Sequence, residues 1–407
     1  MSRIVVKIDS TSLATPEKIE QIAERLIEQQ NAGNQIVAVV PTIENLEDKL
    51  LHYSQILSDN PTNRELHALN ALNSQVASSL LAISLAKKGK QAISLNGWQA
   101  GVKVVESNQN VLIEGIQDEH IIEHLNNDEI VIVAGSQGID ENRNILLLGE
   151  GGPETTAVAI GAAIEAKHIE ILTVQDGIYT ADQTVVKQAR KLKQVTYDEM
   201  LELANLGSLY IHPRAVELAK IVEIPIVVRS SSENQEGTLI KGEIDMEKNL
   251  IVRGVAYEAD IIRLTVGYDS YEQSSLASIF TTLAEYKIDV DIIVQAVIDG
   301  VKPTVSFSIA KEDFAEALKV LEKNKPELGF SFADFEVGLA KVSIVGAGMV
   351  SNPGVAARMF DRLRKENILV KMVSTSEIKV SVVVPQDEMV RAANVLHDEF
   401  NLIEVIS

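Results

Sequence analysis

Short, nearly continuous aliphatic runs alternate with longer stretches whose apolar residues recur every three or four positions through the first 240 residues. Residues 4–8, 35–40, 92–94, 130–134, 169–173 and 224–229 predict strands buried on both faces, and residues 16–30, 73–88 and 154–166 predict amphipathic helices. Such alternation implies an α/β class with a mainly parallel sheet covered on both sides. The polar stretch 230–242, with Gly237 and Gly242, marks a domain boundary. Beyond it the pattern changes and repeats. Strands at 261–266, 290–296 and 304–309 alternate with helices at 275–286 and 312–323, and the order recurs over 340–345, 354–366, 370–374, 379–384 and 387–400. Two consecutive βαββαβ units result, a type of unit that pairs sheets side by side and can hold a ligand at the seam.

Composition narrows the function classes. A chain of 407 residues has room for two or three domains, and 46% hydrophobic with 4% aromatic residues points to aliphatic, layered cores. A formal charge of −21 argues against nucleic acid and against an anionic membrane surface. No apolar run approaches the ~20 residues of a membrane span, so a cytoplasmic location is expected. The absence of cysteine excludes disulfides, thiolate metal sites and cysteine nucleophiles. The histidines lack metal-site spacing; the i,i+4 pair His120 and His124 reads as a solvated helix face, and no metal is expected.

Gly149-Glu150-Gly151-Gly152-Pro153-Glu154-Thr155-Thr156 carries the most chemistry. Three glycines before a helix permit close approach of backbone to an anion, and helix N–H groups favour negative charge. Glu150 and Pro153 stand where a cation and an N–H would serve a phosphate. The glycines equally fit a plain turn.

Several motifs resemble bacterial aspartate kinase, in particular the lysine-responsive type of Gram-positive bacteria, over essentially the whole chain. They are residues 7–12, Asn96-Gly97-Trp98-Gln99-Ala100-Gly101, Ala134-Gly135-Ser136-Gln137-Gly138, the Gly149–Thr156 segment, Asp176-Gly177-Ile178-Tyr179-Thr180-Ala181-Asp182, His212-Pro213-Arg214, Val228-Arg229-Ser230-Ser231, residues 346–354 and residues 374–378. The resemblance implies an amino acid kinase α/β/α sandwich over residues 1–242. Two ACT domains follow, the first at 260–333 and the second built from 250–258 with 338–407. Family members phosphorylate the side-chain carboxylate of aspartate with Mg-ATP. Lysine or threonine bound between ACT domains inhibits them, and they dimerise through these units.

Position by position, the substrate loops depart from the family. Lys-Phe-Gly-Gly-Thr-Ser reads Lys7-Ile8-Asp9-Ser10-Thr11-Ser12: the catalytic lysine stays, but Asp9 brings a carboxylate to the phosphate path. Two like charges ~4 Å apart at an effective dielectric of ~20 repel by roughly 4 kcal/mol. Ser-Ala-Met-Gly reads Pro41-Thr42-Ile43-Glu44, and the ammonium-binding Thr-Gly-Glu reads Leu72-Asn73-Ser74. The family's Gly-Arg-Gly-Gly-Ser-Asp keeps its glycines, but Glu150 replaces the carboxylate-binding arginine and Glu154 the catalytic aspartate. Thr11, Gly151, Gly152, Tyr179 and Asp182 remain as nucleotide or phosphate contacts, with Lys7 and Glu154 as catalytic candidates and Ser74 and Glu150 at altered substrate positions. On the residues alone, Lys7 also fits a strand-end surface lysine and Tyr179 a packed aromatic. Since phosphoryl transfer rests on positioning and charge neutralisation, and each preorganised contact is worth ~3–4 kcal/mol, the expectation is a pseudokinase.

The effector segments keep the family pattern: Asp291, Gln295, Gly348, Met349 and Val350. A bulky Tyr271 departs from the usual turn before the first ACT helix. The resulting expectation is a catalytically impaired aspartate kinase homologue serving as a regulatory subunit or amino-acid sensor. It would form a homodimer, or pair with an active aspartate kinase, through its ACT domains and answer to lysine or threonine. The alternatives are a working aspartate kinase using Mg-ATP and a kinase of another small substrate.

Overall fold

A computed structural model describes residues 2–43, 46–107, 110–205, 211–242, 251–269, 273–297, 302–349, 352 and 354–403. It divides into two compact units, Met1–Ile178 with Lys191–Met246 and Tyr179–Arg190 with Glu247–Ser407.

The first unit runs β1 (Ser2–Lys7), α1 (Pro16–Asn31), β2 (Asn34–Val40), α2 (Leu46–Leu57), α3 (Asn63–Lys87), β3 (Ala92–Leu95), β4 (Val102–Ser107), β5 (Asn110–Ile116), α4 (Glu119–Asn126), β6 (Ile130–Ala134), β7 (Gln137–Ile139), β8 (Ile145–Leu147) and α5 (Gly152–Ala163). It continues with β9 (His168–Thr173) and, after the excursion into the second unit, β10 (Gln194–Thr196), α6 (Tyr197–Asn205), α7 (Pro213–Ile221), β11 (Ile226–Ser230) and β12 (Thr238–Lys241).

Eight strands form one sheet in the order β10-β12-β11-β9-β1-β2-β6-β3, parallel except for the β11–β12 pair. The aliphatic runs explain the burial: Ile4, Val6 and Ile8, with Ile36, Ala38 and Val40, pack against α1 and α3. Alternate residues point to the opposite face, where α5 covers β1 and β9. In α1 the apolar residues Ile19, Ile22, Ala23 and Leu26 sit at helical spacing and are buried. Thr15 accepts the Lys18 N–H at its start, and Pro16 occupies the first turn.

The α3 helix starts at Asn63, ten residues ahead of the expected 73. Its first turn, Asn63-Arg64-Glu65, is polar, and His67 and Asn70 interrupt the apolar spacing that follows. A separate four-stranded sheet, β5-β4-β7-β8, was also not anticipated, because its strands alternate exposed and buried positions with little aliphatic continuity.

The second unit contains β13 (Gly254–Gly267), α8 (Gln273–Glu285), β14 (Ile293–Ala296), β15 (Thr304–Ala310), α9 (Phe314–Leu328), β16 (Phe332–Val345), α10 (Val355–Lys365), β17 (Met372–Thr375), β18 (Lys379–Pro385) and α11 (Met389–Glu399). The two βαββαβ repeats share one six-stranded antiparallel sheet, β14-β15-β13-β16-β18-β17. Its centre is the pair of 14-residue strands β13 and β16, with a register break between Glu258 and Ile261. One core packs Leu264, Ile279, Leu283 and Phe307. The other gathers Val342, Ile344, Met359 and Leu396 and takes in Ala181, Val186 and Ala189 from the 179–190 excursion.

Candidate active site

In an open parallel sheet, ligands bind beyond the carboxyl ends of the strands, and here β1, β9 and β11 end next to one another. Lys7 closes β1. It is 9% exposed, and its ammonium pairs with Glu154 in the first turn of α5, 147 residues away. With both partners largely buried, each charge depends on the other. The two catalytic candidates, one from each loop, thus meet as an ion pair.

Beyond Lys7 the chain turns at once. Asp9 caps the short helical turn Ser10–Leu13, accepting the Ser12 N–H at 3.0 Å, the Ser12 hydroxyl at 2.6 Å and the Thr11 hydroxyl. Burial raises its carboxyl pKa, but hydrogen bonds from Ser12, Thr11 and Ser231 outweigh that and hold it below its ordinary value. Asp9 is therefore an ionised carboxylate enclosed by donors of its own loop. The carboxylate expected on the phosphate path at this position is thus engaged by its own loop, where it closes the turn and holds the Thr11 hydroxyl.

At the start of α5, Gly151 takes a φ of +67°, and a Cβ there would lie 2.2 Å from the His212 ring. A Cβ on Gly152 would meet the Ser136 hydroxyl at 2.2 Å. Protein packing alone thus demands both glycines, which favours the plain turn among the readings left open. The Thr155 and Thr156 hydroxyls donate to the Gly151 and Gly152 carbonyls at 2.8 Å, so they lie along the helix. Glu150 is exposed. Arg214 fixes the loop from below by donating to the carbonyls of Leu148 at 2.9 Å and Val111 at 2.6 Å. Sequence reasoning gave Arg214 no role, although its motif was conspicuous.

Ser74 is buried on α3. Its hydroxyl donates to the Gly135 carbonyl at 3.2 Å and accepts from the Gln137 amide at 2.8 Å, tying α3 to the end of β6. Next to it, Asn73 is fully buried, and neither amide atom has a hydrogen-bond partner among the described residues. An orphaned buried amide is costly, and sequence reasoning missed it because asparagine carries no motif here. On the far side, Asp176 pairs with Lys191 at 2.9 Å, and the Ile178 N–H donates to Thr238 Oγ1 at 2.8 Å.

Other candidates fall in the second unit. Tyr179 packs against its core, and Asp182 accepts from the Tyr257 hydroxyl at 2.9 Å. Asp291 pairs with Lys341, which also meets Glu258 at 2.6 Å. Burial lowers the Lys341 pKa, but Glu258 and Asp291 outweigh it and hold the pKa above the ordinary value. Gln295 is exposed on the edge strand β14. Gly348 and Met349 lie in a short helical turn where the Gly348 carbonyl accepts from Asn352 at 2.7 Å. Val350, like Glu44 and Tyr271, lies outside the described residues. No group of three or more metal-ligating side chains occurs among the described residues.

Residues 2–230 match the model of the amino acid kinase family, and residues 342–400 match an ACT domain. The chain is 49% identical to an aspartokinase of Bacillus sp. strain MGA3 over 99% of this chain and 98% of that protein. It is 48% identical to aspartokinase 2 of Bacillus subtilis strain 168, with the same coverage. Escherichia coli aspartokinase III, solved with aspartate and ADP, superposes with a TM-score of 0.80 at 19% identity, over 97% of this chain and 99% of that one, a likeness of fold. A lysine held within a strand-end couple, a glycine-built helix start opposite it, two fused ACT-like repeats and near-50% identity along the full length all agree, and the chain belongs to the aspartokinases of the amino acid kinase family.

Proposed function

We propose that this chain is a working aspartate kinase that transfers the γ-phosphoryl group of Mg-ATP to the side-chain carboxylate of L-aspartate, at a rate lowered by its altered loops. The observation that carries this reading is the buried Lys7–Glu154 couple at the amino end of α5. Full-length relatives named aspartokinases support it over the regulatory-subunit reading drawn from the loops alone. Mg-ATP would supply the transferred group. Glu154 holds the Lys7 ammonium at the end of β1, where it offsets charge on a phosphoryl oxygen. The amino end of α5 adds a positive field, worth typically 0.3–1 kcal/mol at an exposed site. Arg214 steadies the intervening loop.

Ser74 lacks the negative charge with which relatives of the motif hold a substrate ammonium, and Glu150 opposes a substrate carboxylate. Weak substrate binding and low turnover follow. The test is aspartyl-phosphate formation, trapped as the hydroxamate, with saturating Mg-ATP and aspartate. A signal that Lys7→Met abolishes supports the kinase. A blank from a folded chain sinks it and leaves the second reading, a catalytically silent regulatory partner of an active aspartate kinase. That reading is favoured by the ionised Asp9 carboxylate in the phosphate loop.

In either case we assign regulation to the ACT-type repeats, residues 260–333 and residues 250–258 with 338–407. They would take an amino-acid effector, lysine or threonine, near Asp291, Gln295, Gly348 and Met349, and would join two chains in the cytoplasm. An effector ammonium would have to share Asp291 and Glu258 with Lys341. No helix among the described residues is long and apolar enough to cross a membrane.

A further inference from the structure

We propose that His120 and His124 form a binding site for one divalent transition-metal ion of the zinc, nickel or copper type, held between their two Nε2 atoms. Both histidines lie on α4 one turn apart, and their Nε2 atoms face each other at 3.1 Å. Their other ring nitrogens are committed. His120 Nδ1 lies 3.0 Å from the Gln99 carbonyl oxygen, and His124 Nδ1 contacts the Glu129 carboxylate. A carbonyl and a carboxylate only accept, so each Nδ1 must carry the hydrogen. With each Nδ1–H turned to its acceptor, the two Nε2 atoms are left facing each other, where one cation, a proton or a metal ion, can be held by both.

The geometry suits a metal ion. With metal–nitrogen bonds of about 2.0–2.1 Å, a 3.1 Å separation closes an N–metal–N angle of about 100°, between octahedral and tetrahedral values. The surroundings supply what metal-bound histidines usually have, a carboxylate or carbonyl behind each ring that fixes its tautomer and raises its basicity. The Glu129 carboxylate holds His124, and both side chains are mostly buried, at 17% and 25% exposure. His120 is exposed, which leaves the remaining coordination positions to water. Imidazole pairs select zinc, copper or nickel over magnesium, so the site is chemically separate from any magnesium that accompanies a nucleotide. Bound metal would tie α4 to the Gln99 turn.

The chain carries its own reporter. Its one tryptophan, Trp98, is 46% exposed and precedes Gln99, whose carbonyl holds His120. The experiment titrates full-length protein with Zn²⁺ by calorimetry in excess Mg²⁺, and in parallel with Cu²⁺ while Trp98 fluorescence is followed. One ion per chain in the micromolar range and quenching by Cu²⁺ are expected. His120→Gln and His124→Gln should each weaken binding at least tenfold with an unchanged Tm. Glu129→Gln, which leaves both ligands in place, should weaken it about tenfold, as loss of a supporting contact does. Equal affinity in wild type and both histidine variants overturns the proposal, as does wild type that takes up no Zn²⁺. So does nitrogen-detected NMR showing an Nε2–H shared between the rings that persists in saturating Zn²⁺.

Discussion

Breaking the Lys7–Glu154 couple tests both the fold and the chemistry. Replacing Lys7 by methionine keeps the volume and removes the charge, leaving the Glu154 carboxylate 15% exposed without its cation. At a separation of ~3 Å and an effective dielectric of ~20, the Coulomb attraction is about 5–6 kcal/mol. Desolvation of both groups cancels much of this. Removing one partner of a buried pair costs about 3–5 kcal/mol, whereas replacing both by apolar groups is often near neutral. Lys7→Met and Glu154→Leu should therefore each cost about 3 kcal/mol, the double variant under about 2 kcal/mol, and the coupling energy should come out near 4 kcal/mol. Urea unfolding followed by circular dichroism, resolved for the first unit, reads all four proteins. A coupling below about 0.5 kcal/mol, typical of exposed pairs, would refute the argument and mean that the Lys7 ammonium is solvated. The same proteins separate stability from chemistry, since hydroxamate formation should vanish in the double variant even where its folding is restored.

Three further outcomes are expected. Burial lowers the His397 pKa to about 4, and its Nε2 meets the Thr180 hydroxyl at 2.9 Å. The unfolded chain takes up the proton first, so the stability contribution is complete above the unfolded pKa of ~6.5 and drains away as pH falls toward 4. His397→Gln should flatten this decline in the Tm of the second unit, and an unchanged acid limb would contradict it. Asn73→Ala should cost under about 1 kcal/mol because no protein partner is lost, against ~1–3 kcal/mol when a bonded group is removed, and a drop beyond 2 kcal/mol in urea titration would reveal a hidden partner. Glu150→Arg, an exposed change that returns the family's cation, should raise the hydroxamate rate about 10- to 100-fold if it restores part of a contact worth ~3–4 kcal/mol; a rate that stays flat would remove Glu150 from the substrate path.

Much of this architecture can be read from residue order. Residues 4–8 and 130–134 are strands because aliphatic runs of that length satisfy a sheet covered on both faces, and the structure buries Val5, Val6 and Ile132 completely. The Lys7–Glu154 meeting was accessible through motif resemblance, since each loop alone says only that a charge is present. Asp9 shows where such reading stops. Its charge was plain, but its engagement by Ser12, Thr11 and Ser231 depends on loop geometry and on a residue 222 positions later. Asn73 and Ser74 make the same point, because a buried amide without a partner among the described residues and a hydroxyl that is bonded look alike in Leu72-Asn73-Ser74. The 179–190 excursion left no trace in composition: Ala181, Val186 and Ala189 are ordinary small apolar residues whose partners come from far along the chain.

That excursion constrains synthesis. Thr180 meets His397, 217 residues downstream, and at about 5–20 residues per second the ribosome delivers that histidine roughly 10–40 s after the threonine. The two unit boundaries at 178/179 and 190/191 mean that the twelve intervening residues lie within an otherwise early-emerging part of the chain. Their complete set of partners exists only once the residues of the second unit, up to Leu402, have been made. A nascent chain that has not yet reached residue 397 lacks the imidazole that Thr180 meets and the Leu396 and Phe400 side chains of the cluster that takes in Ala181, Val186 and Ala189.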